Sequence, residues 1–446
     1  MRNRLLISLS VCVLGLGMVA MGPPAGLNGG SVGENTAQAA QYKRLLTPNR
    51  FRCILVGDSQ TTGPSSNRIR TQAHRWNAPI VGELITVGNA SAGLVVNNGT
   101  GRVDGLSYSN ISLDAGWPDG GSPDFFAVLG SQWQCNGDIE SPGSLIGRYR
   151  LRFYGGNVDS PWNEPWGIGN PLIAKIAVRT SPRSVGAVQT RAERGGVFSA
   201  SARTVHTLNQ TDGIQIIEQL IPADFQTDGD DVGVGIFLPS GSVELPGEVL
   251  QILGVLIERV DEQGQSLPGT IVGYQGTGGW AIDDHLEKIS PASRAALIEM
   301  INPEYVMIML GHNRETNREK GILPNMVQLV QEWEATFAAT GRPRPSVIYV
   351  TPWAISTPLA TDYMKHVESV MGMLAASNWQ DMHINFLSRF NDLRPDVYDP
   401  KRYQLDNPLV HPGDVPTAIN LSEDLYQMLF HPGQSWYRSR SPRKSR

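Results

Sequence analysis

Short apolar runs that stop abruptly, with helical stretches between them, constrain this chain more than any other feature. Residues 53–56 stop at Gly57, residues 305–310 at Gly311, and residues 347–350 at Thr351-Pro352. Residues 384–387 form a further short, mainly apolar run. Continuous apolar runs of this kind mark strands buried on both faces, the condition imposed by a parallel sheet covered with helices. Between them, 292–301, 325–339 and 361–377 repeat apolar residues at the helical period, and 416–430 closes the pattern as a last helix. Alternating strand and helix from about residue 270 onward predicts an α/β fold built on a doubly wound parallel sheet.

The middle of the chain has a different character. Residues 97–265 are rich in Gly, Pro, Asn and Ser, with β-branched or alternating runs at 149–154, 172–180, 197–208, 214–221, 232–238 and 249–260. Short strands between turn signals, with almost no helical period, predict an all-β sandwich or jelly roll. The expected organisation is an α/β domain in two pieces, 50–96 and 266–432, interrupted by an inserted β-domain over 97–265. A helix is expected over 67–78 and an apolar segment over 80–87. Residues 435–446, basic and rich in Ser, read as a disordered tail, with polyanion binding as the functional alternative.

Length and composition agree with two units. A chain of 446 residues exceeds one ordinary domain, and 40% hydrophobic residues supply a substantial core. A net charge of −5 argues against a general nucleic-acid binder. At the N-terminus, Arg2 and Arg4 precede an apolar stretch over 5–21, and Ala37-Gln38-Ala39 has the small residues of a cleavage site. Residues 1–39 therefore read as a signal peptide, with an uncleaved anchor as the competing reading. Cys12 lacks the context of a lipoprotein signal. No other apolar stretch is long enough to span a bilayer, so the expectation is a secreted or periplasmic (cell-envelope) protein with no stable membrane insertion after cleavage. Export permits a Cys53–Cys135 disulfide, although Cys53 reads more simply as a small apolar residue of a buried strand. Sequons at Asn89, Asn98, Asn110, Asn209 and Asn420 matter only in a eukaryotic secretory host.

Chemistry-bearing residues sit where the apolar runs end. Gly57-Asp58-Ser59-Gln60-Thr61-Thr62-Gly63 follows the first run, and its glycine lets the chain turn so that the Ser59 hydroxyl stands at the mouth of the sheet. Gly276-Thr277-Gly278-Gly279-Trp280 follows the strand expected at 270–274, and Gly311-His312-Asn313 follows 305–310. Asp406 and His411 stand together before the last helix. A nucleophile, an imidazole base, a carboxylate and amide donors are the parts that acyl transfer to serine requires. In α/β sheets such groups converge from loops at the carboxyl ends of strands.

These four segments, in this order, resemble the four blocks of the SGNH (GDSL-like) hydrolase superfamily. The resemblance covers about 50–96 and 270–430, and the first segment matches Gly-Asp-Ser-X-Thr-X-Gly at every fixed position. It implies Ser59 as nucleophile, with Asp406 and His411 completing the triad. The oxyanion hole it implies comprises Ser59, Gly279 and Asn313, with Gly278 as the alternative donor. Two departures are visible. Gly278 replaces a frequent serine, and Asp406 lies five residues before His411 instead of three, which leaves Asp399 as an alternative acid. No cofactor and no metal are implied.

Other clusters carry competing readings. Asp283-Asp284-His285 has metal-binding residue types but no partner set, and neighbours along a helix or strand point apart. Asp228-Gly229-Asp230-Asp231 reads as a solvated turn ahead of a calcium loop. His312 reads either as lining the cleft or as packed behind it. Trp117, Trp133, Trp162 and Trp166 read equally as sugar-stacking or core residues. The function expected is a secreted serine esterase that removes short acyl groups from an extracellular carbohydrate, or from another small ester. The rivals are a polysaccharide O-acyltransferase with the same triad and a non-catalytic glycan-binding envelope protein. Oligomeric state is not legible.

Overall fold

A computed structural model describes residues 50–58, 94–95, 131–134, 145–151, 171–194, 197–225, 232–239, 249–267, 269–276, 281–311, 313, 321–352, 358–385, 425 and 428–430. Its strands are β1 (Arg50–Gly57), β2 (Leu94–Val95), β3 (Ser131–Gln134), β4 (Leu145–Leu151) and β5 (Leu172–Thr180). They continue with β6 (Ala187–Arg194), β7 (Val197–Thr207), β8 (Gly213–Ile221), β9 (Val232–Phe237) and β10 (Val249–Arg259). The last are β11 (Gly269–Gly276), β12 (Tyr305–Met309), β13 (Ser346–Thr351) and β14 (Met382–Asn385). The helices are α1 (Ile282–Lys288), α2 (Pro291–Ile301), α3 (Ile322–Ala339) and α4 (Pro358–Ser377).

A mixed α/β architecture results, with one parallel sheet and two antiparallel ones. The parallel sheet runs β11-β1-β12-β13-β14, every pair parallel. Phe51, Cys53, Ile54, Leu55 and Val56 are all fully buried, so both faces of β1 are covered, as its apolar run requires. Helix signals account for the layers around it. Ser290 caps α2 by accepting from the Ser293 N–H at 3.2 Å, and Pro291 fits the first turn, where no N–H is needed. Asn302 ends that helix in the left-handed conformation at φ 53°. The apolar stripe of α3 (Met326, Leu329, Val330, Trp333 and Phe337) joins the same core as Val367, Val370 and Met371 of α4.

The antiparallel sheets run β2-β10-β5-β8, with β3 also on β10, and β4-β9-β6-β7. A second hydrophobic cluster takes in both, with Ile176, Val178, Val255 and Ile257 from the first and Val188, Ala192, Val234 and Ile236 from the second. Strand β10 is shared between cores. Leu250, Ile252, Val255 and Ile257 belong to this second cluster, whereas Leu253 and Leu256 belong to the core of the parallel sheet. The parity of the alternation changes between Ile252 and Val255 because a register shift against β5 falls between Ile252 and Gly254. An extra residue in one strand turns every later side chain to the other face. β5 is shared likewise, with Ala177 in the first cluster and Ile176 and Val178 in the second.

An ionic cluster joins these layers near the start of β1. Glu258 of β10, fully buried, pairs with Arg52 of β1 at 2.8 Å and with Lys175 of β5 at 2.6 Å. Arg52 also donates through Nε to the Ile301 carbonyl at 2.6 Å, which ties in the end of α2.

Several expected elements stand close to where the periodicity put them. β5 matches the expected 172–180, and α3 starts earlier than expected because Pro324 lies in its first turn rather than ahead of it. The signal segment 1–39, the helix expected at 67–78, the segment 80–87, Cys135, Asp228 to Asp231 and the tail 435–446 lie outside the described residues. Cys53 is a buried free thiol whose pKa burial pushes up, in keeping with a strand residue that packs. Among the described residues, no helix is long and apolar enough to cross a membrane.

Candidate active site

Sheet order locates the cleft. In chain order the parallel strands run second-first-third-fourth-fifth, so the connections leaving β1 and entering β12 go to opposite sides, and ligands bind outside the carboxyl ends at such a switch point. The strands on either side of β1 also stop level with it. Gly57 pairs with Gly276 of β11 and with Met309 of β12. The segments that the sequence marks with Ser59, Gly279 and Asn313 therefore leave from three neighbouring strand ends. Ser59, Gly278, Gly279, His312, Asp399, Asp406 and His411 themselves lie outside the described residues, as do Trp117, Trp162 and Trp166. Trp133 is in β3, opposite Leu250 of β10.

At the end of β1, Asp58 is fully buried. At the end of β12, Gly311 takes φ 98°, where L side chains are strained. A Cβ there would also stand 2.8 Å from Cγ1 of Val367 on α4. Glycine thus lets the chain turn against α4 and brings Asn313, half-buried, onto the carboxyl side of the sheet. At the end of β11, Gln275 is fully buried, and neither atom of its amide finds a hydrogen-bond partner among the described residues.

Helix α1 backs the same place. Ala281 N–H donates to Oδ2 of Asp284 at 2.8 Å, which closes the start of the helix, and Lys288 pairs with the other oxygen of Asp284. Asp283 accepts from the Asp284 N–H at 3.2 Å. His285 points into the protein, fully buried, and its Nε2–H donates to the Gly57 carbonyl at 3.1 Å. Burial lowers its pKa to about 4, so the ring is neutral at physiological pH. Asp283, Asp284 and His285 are thus engaged separately, and no group of metal-ligating side chains gathers among the described residues. Sequence reasoning singled out His285 only as a metal candidate and missed its contact with Gly57, which links residues 228 positions apart.

A second buried imidazole lies further along the sheet. His383 of β14 shares a 2.7 Å hydrogen bond with the hydroxyl of Thr351, the last residue of β13, and burial lowers its pKa to about 4. Asn385, at the end of β14, donates to Glu368 of α4.

No family model matches this chain, and no curated protein matches it by sequence. Solved structures do match. A peptidoglycan O-acetylesterase superposes at TM-score 0.53 with 12% identity, over 89% of this chain and 94% of that one. An acetylxylan esterase from Geobacillus stearothermophilus superposes at TM-score 0.24 with 22% identity, over 39% of this chain and 77% of that one. The first of these likenesses shows a shared fold.

Proposed function

We propose that this protein is an exported serine esterase of the SGNH type that removes acetyl groups from a cell-envelope or other extracellular carbohydrate. The observation that carries the reading is the level ending of β11, β1 and β12 at the switch point of the sheet, each strand leading into one of the marked segments. Cell-wall glycan is the favoured substrate class. A protein sharing this fold over 89% of the chain is a peptidoglycan O-acetylesterase, and a likeness of that extent reaches beyond the α/β part into 97–265. In this reading, 1–39 is a cleaved signal and 97–265 is a β-rich insertion in the hydrolase domain.

In the proposed mechanism, His411, oriented by Asp406, takes the proton from Ser59 Oγ as the oxygen attacks the ester carbonyl. The carbonyl oxygen becomes an oxyanion, held by the backbone N–H groups of Ser59 and Gly279 and by the Asn313 amide. Losing one such donor typically slows turnover about 100- to 1000-fold. His411 returns the proton to the sugar oxygen, and the alcohol leaves. Water, deprotonated by the same imidazole, then attacks the acyl-serine and releases acetate.

The test is hydrolysis of p-nitrophenyl acetate through octanoate by the mature chain, beside Ser59→Ala, with acetate release from O-acetylated peptidoglycan and acetylated xylan measured in parallel. Short-ester activity that falls about 10,000-fold or more in Ser59→Ala, with unchanged thermal stability, is expected. Equal activity in both proteins would remove Ser59 as nucleophile. Acetate passed to a glycan acceptor with negligible release into water would redefine the enzyme as an acyltransferase.

A further inference from the structure

We propose that His285 is a positioning residue for the nucleophile turn, clamping the carboxyl end of β1 to the helix that follows the segment of the proposed oxyanion glycine. The inference rests on the reading of Ser59 as nucleophile and adds a residue to the machinery around it.

Three observations support it. Gly57 is the last residue of β1 and stands two before Ser59, and its carbonyl accepts the Nε2–H of His285 at 3.1 Å. α1, which carries His285, begins just beyond the segment 277–280 that follows β11 and contains Gly279. One side chain therefore ties the segment before the nucleophile to the element after the oxyanion glycine. Both segments supply backbone donors to one oxygen in the proposed mechanism, so their separation must be held to a fraction of an ångström.

The histidine is itself braced from behind. Its carbonyl accepts from an Arg294 guanidinium nitrogen of α2 at 3.2 Å. Arg294, only 1% exposed, pairs in turn with Glu332 of α3. A connected polar path thus runs from α3 through α2 and α1 to the end of β1. If His285 served only to fill space, an apolar residue would do so without desolvating an imidazole. Because burial keeps the ring neutral, it carries a single N–H, and the geometry assigns that proton to Nε2.

The experiment compares Ser59→Ala, His285→Phe and His285→Gln in the full mature chain, using p-nitrophenyl acetate and the labelling rate by a fluorophosphonate. Phe fills the space without a donor, whereas Gln keeps an N–H of comparable reach. His285→Phe is expected to lower kcat about 100-fold with KM within about twofold, and to slow labelling in parallel. His285→Gln should recover most of that loss while its melting temperature stays close to that of the Phe variant. Should His285→Phe fail to fold, His285→Asn, whose amide is too short to reach the Gly57 carbonyl, takes its place in the comparison. Wild-type kcat in a folded variant lacking the donor, or equal losses in the Gln and donor-lacking variants, would overturn the inference while an inactive Ser59→Ala kept the functional reading. Full activity in Ser59→Ala would overturn both.

Discussion

The two ends of β1 are built on opposite terms. At its start the charges are matched: Arg52, Glu258 and Lys175 pair across three strands, and the Arg52 guanidinium also satisfies the end of α2. At its finish the molecule keeps features that oppose stability. Gln275 has a buried amide without partners among the described residues, and Gly311 holds a left-handed turn pressed against Val367. Asp58 and His285, polar groups, are also fully buried at this end. Native proteins concentrate such local costs where a constellation must be held ready, and offset them elsewhere. In the proposed reading, the contrast teaches that the amino end serves the joining of the layers and the carboxyl end serves chemistry.

Breaking the ionic end tests the first half. Glu258→Ala leaves Arg52 and Lys175 without their buried partner, and a loss of about 3 to 5 kcal/mol is expected, the range for removing one side of a buried pair. Denaturant titration measures it, and kcat of the fraction still folded should change little. A variant with unaltered stability and impaired turnover would reverse the assignment of roles.

Acid sharpens the second half. Burial lowers the folded pKa values of His285 and His383 from the ordinary imidazole value near 6.5 to about 4, so the unfolded chain binds protons at these sites before the folded one does. Each contributes stability that is fully present above pH 6.5, declines as the pH falls below that value, and is gone once the pH has passed through the folded pKa near 4. The full step is on the order of 3 kcal/mol per group, on the scale of 1.36 kcal/mol per pKa unit. The stability lost between these limits should be smaller in His383→Gln, by up to that amount; an identical loss would show that His383 does not titrate there.

The smallest effect expected is a gain. Gln275→Leu replaces a buried amide that has no partner among the described residues with an apolar group of similar size, and stability should rise by about 1 to 2 kcal/mol. If the carboxyl end trades stability for readiness, ester turnover falls in the same variant. Calorimetry and the acetate assay on one preparation separate the two, and a loss of stability would show that the amide has a role in holding the fold.

Sequence legibility follows the same division. The strands β1, β12 and β13 announced themselves because burial on both faces leaves no room for polar residues in 53–56, 305–310 or 347–350. Strand β6 escaped notice because Gln189, Thr190 and Glu193 are polar yet buried. Thr190 donates to Gln219 on the facing sheet at 2.7 Å, a pairing that pattern alone cannot supply. Helix α1 was missed for another reason: seven residues are too few to establish a helical period, and its acidic start resembled a ligand cluster.

What the sequence determined by itself was the class of fold and the order of the candidate chemical segments, because burial and turning are local demands on residue type. Gly57 and Gly311 could be read as stops for the same reason. Only the tertiary structure decided that β11, β1 and β12 end abreast, that β10 changes faces at a register shift and serves two cores, and that His285 reaches Gly57. Each of these depends on which distant segment lies alongside, through hydrogen bonds and packing between residues up to hundreds of positions apart. The one-dimensional pattern records that a residue must be buried, and the packed layers decide against what.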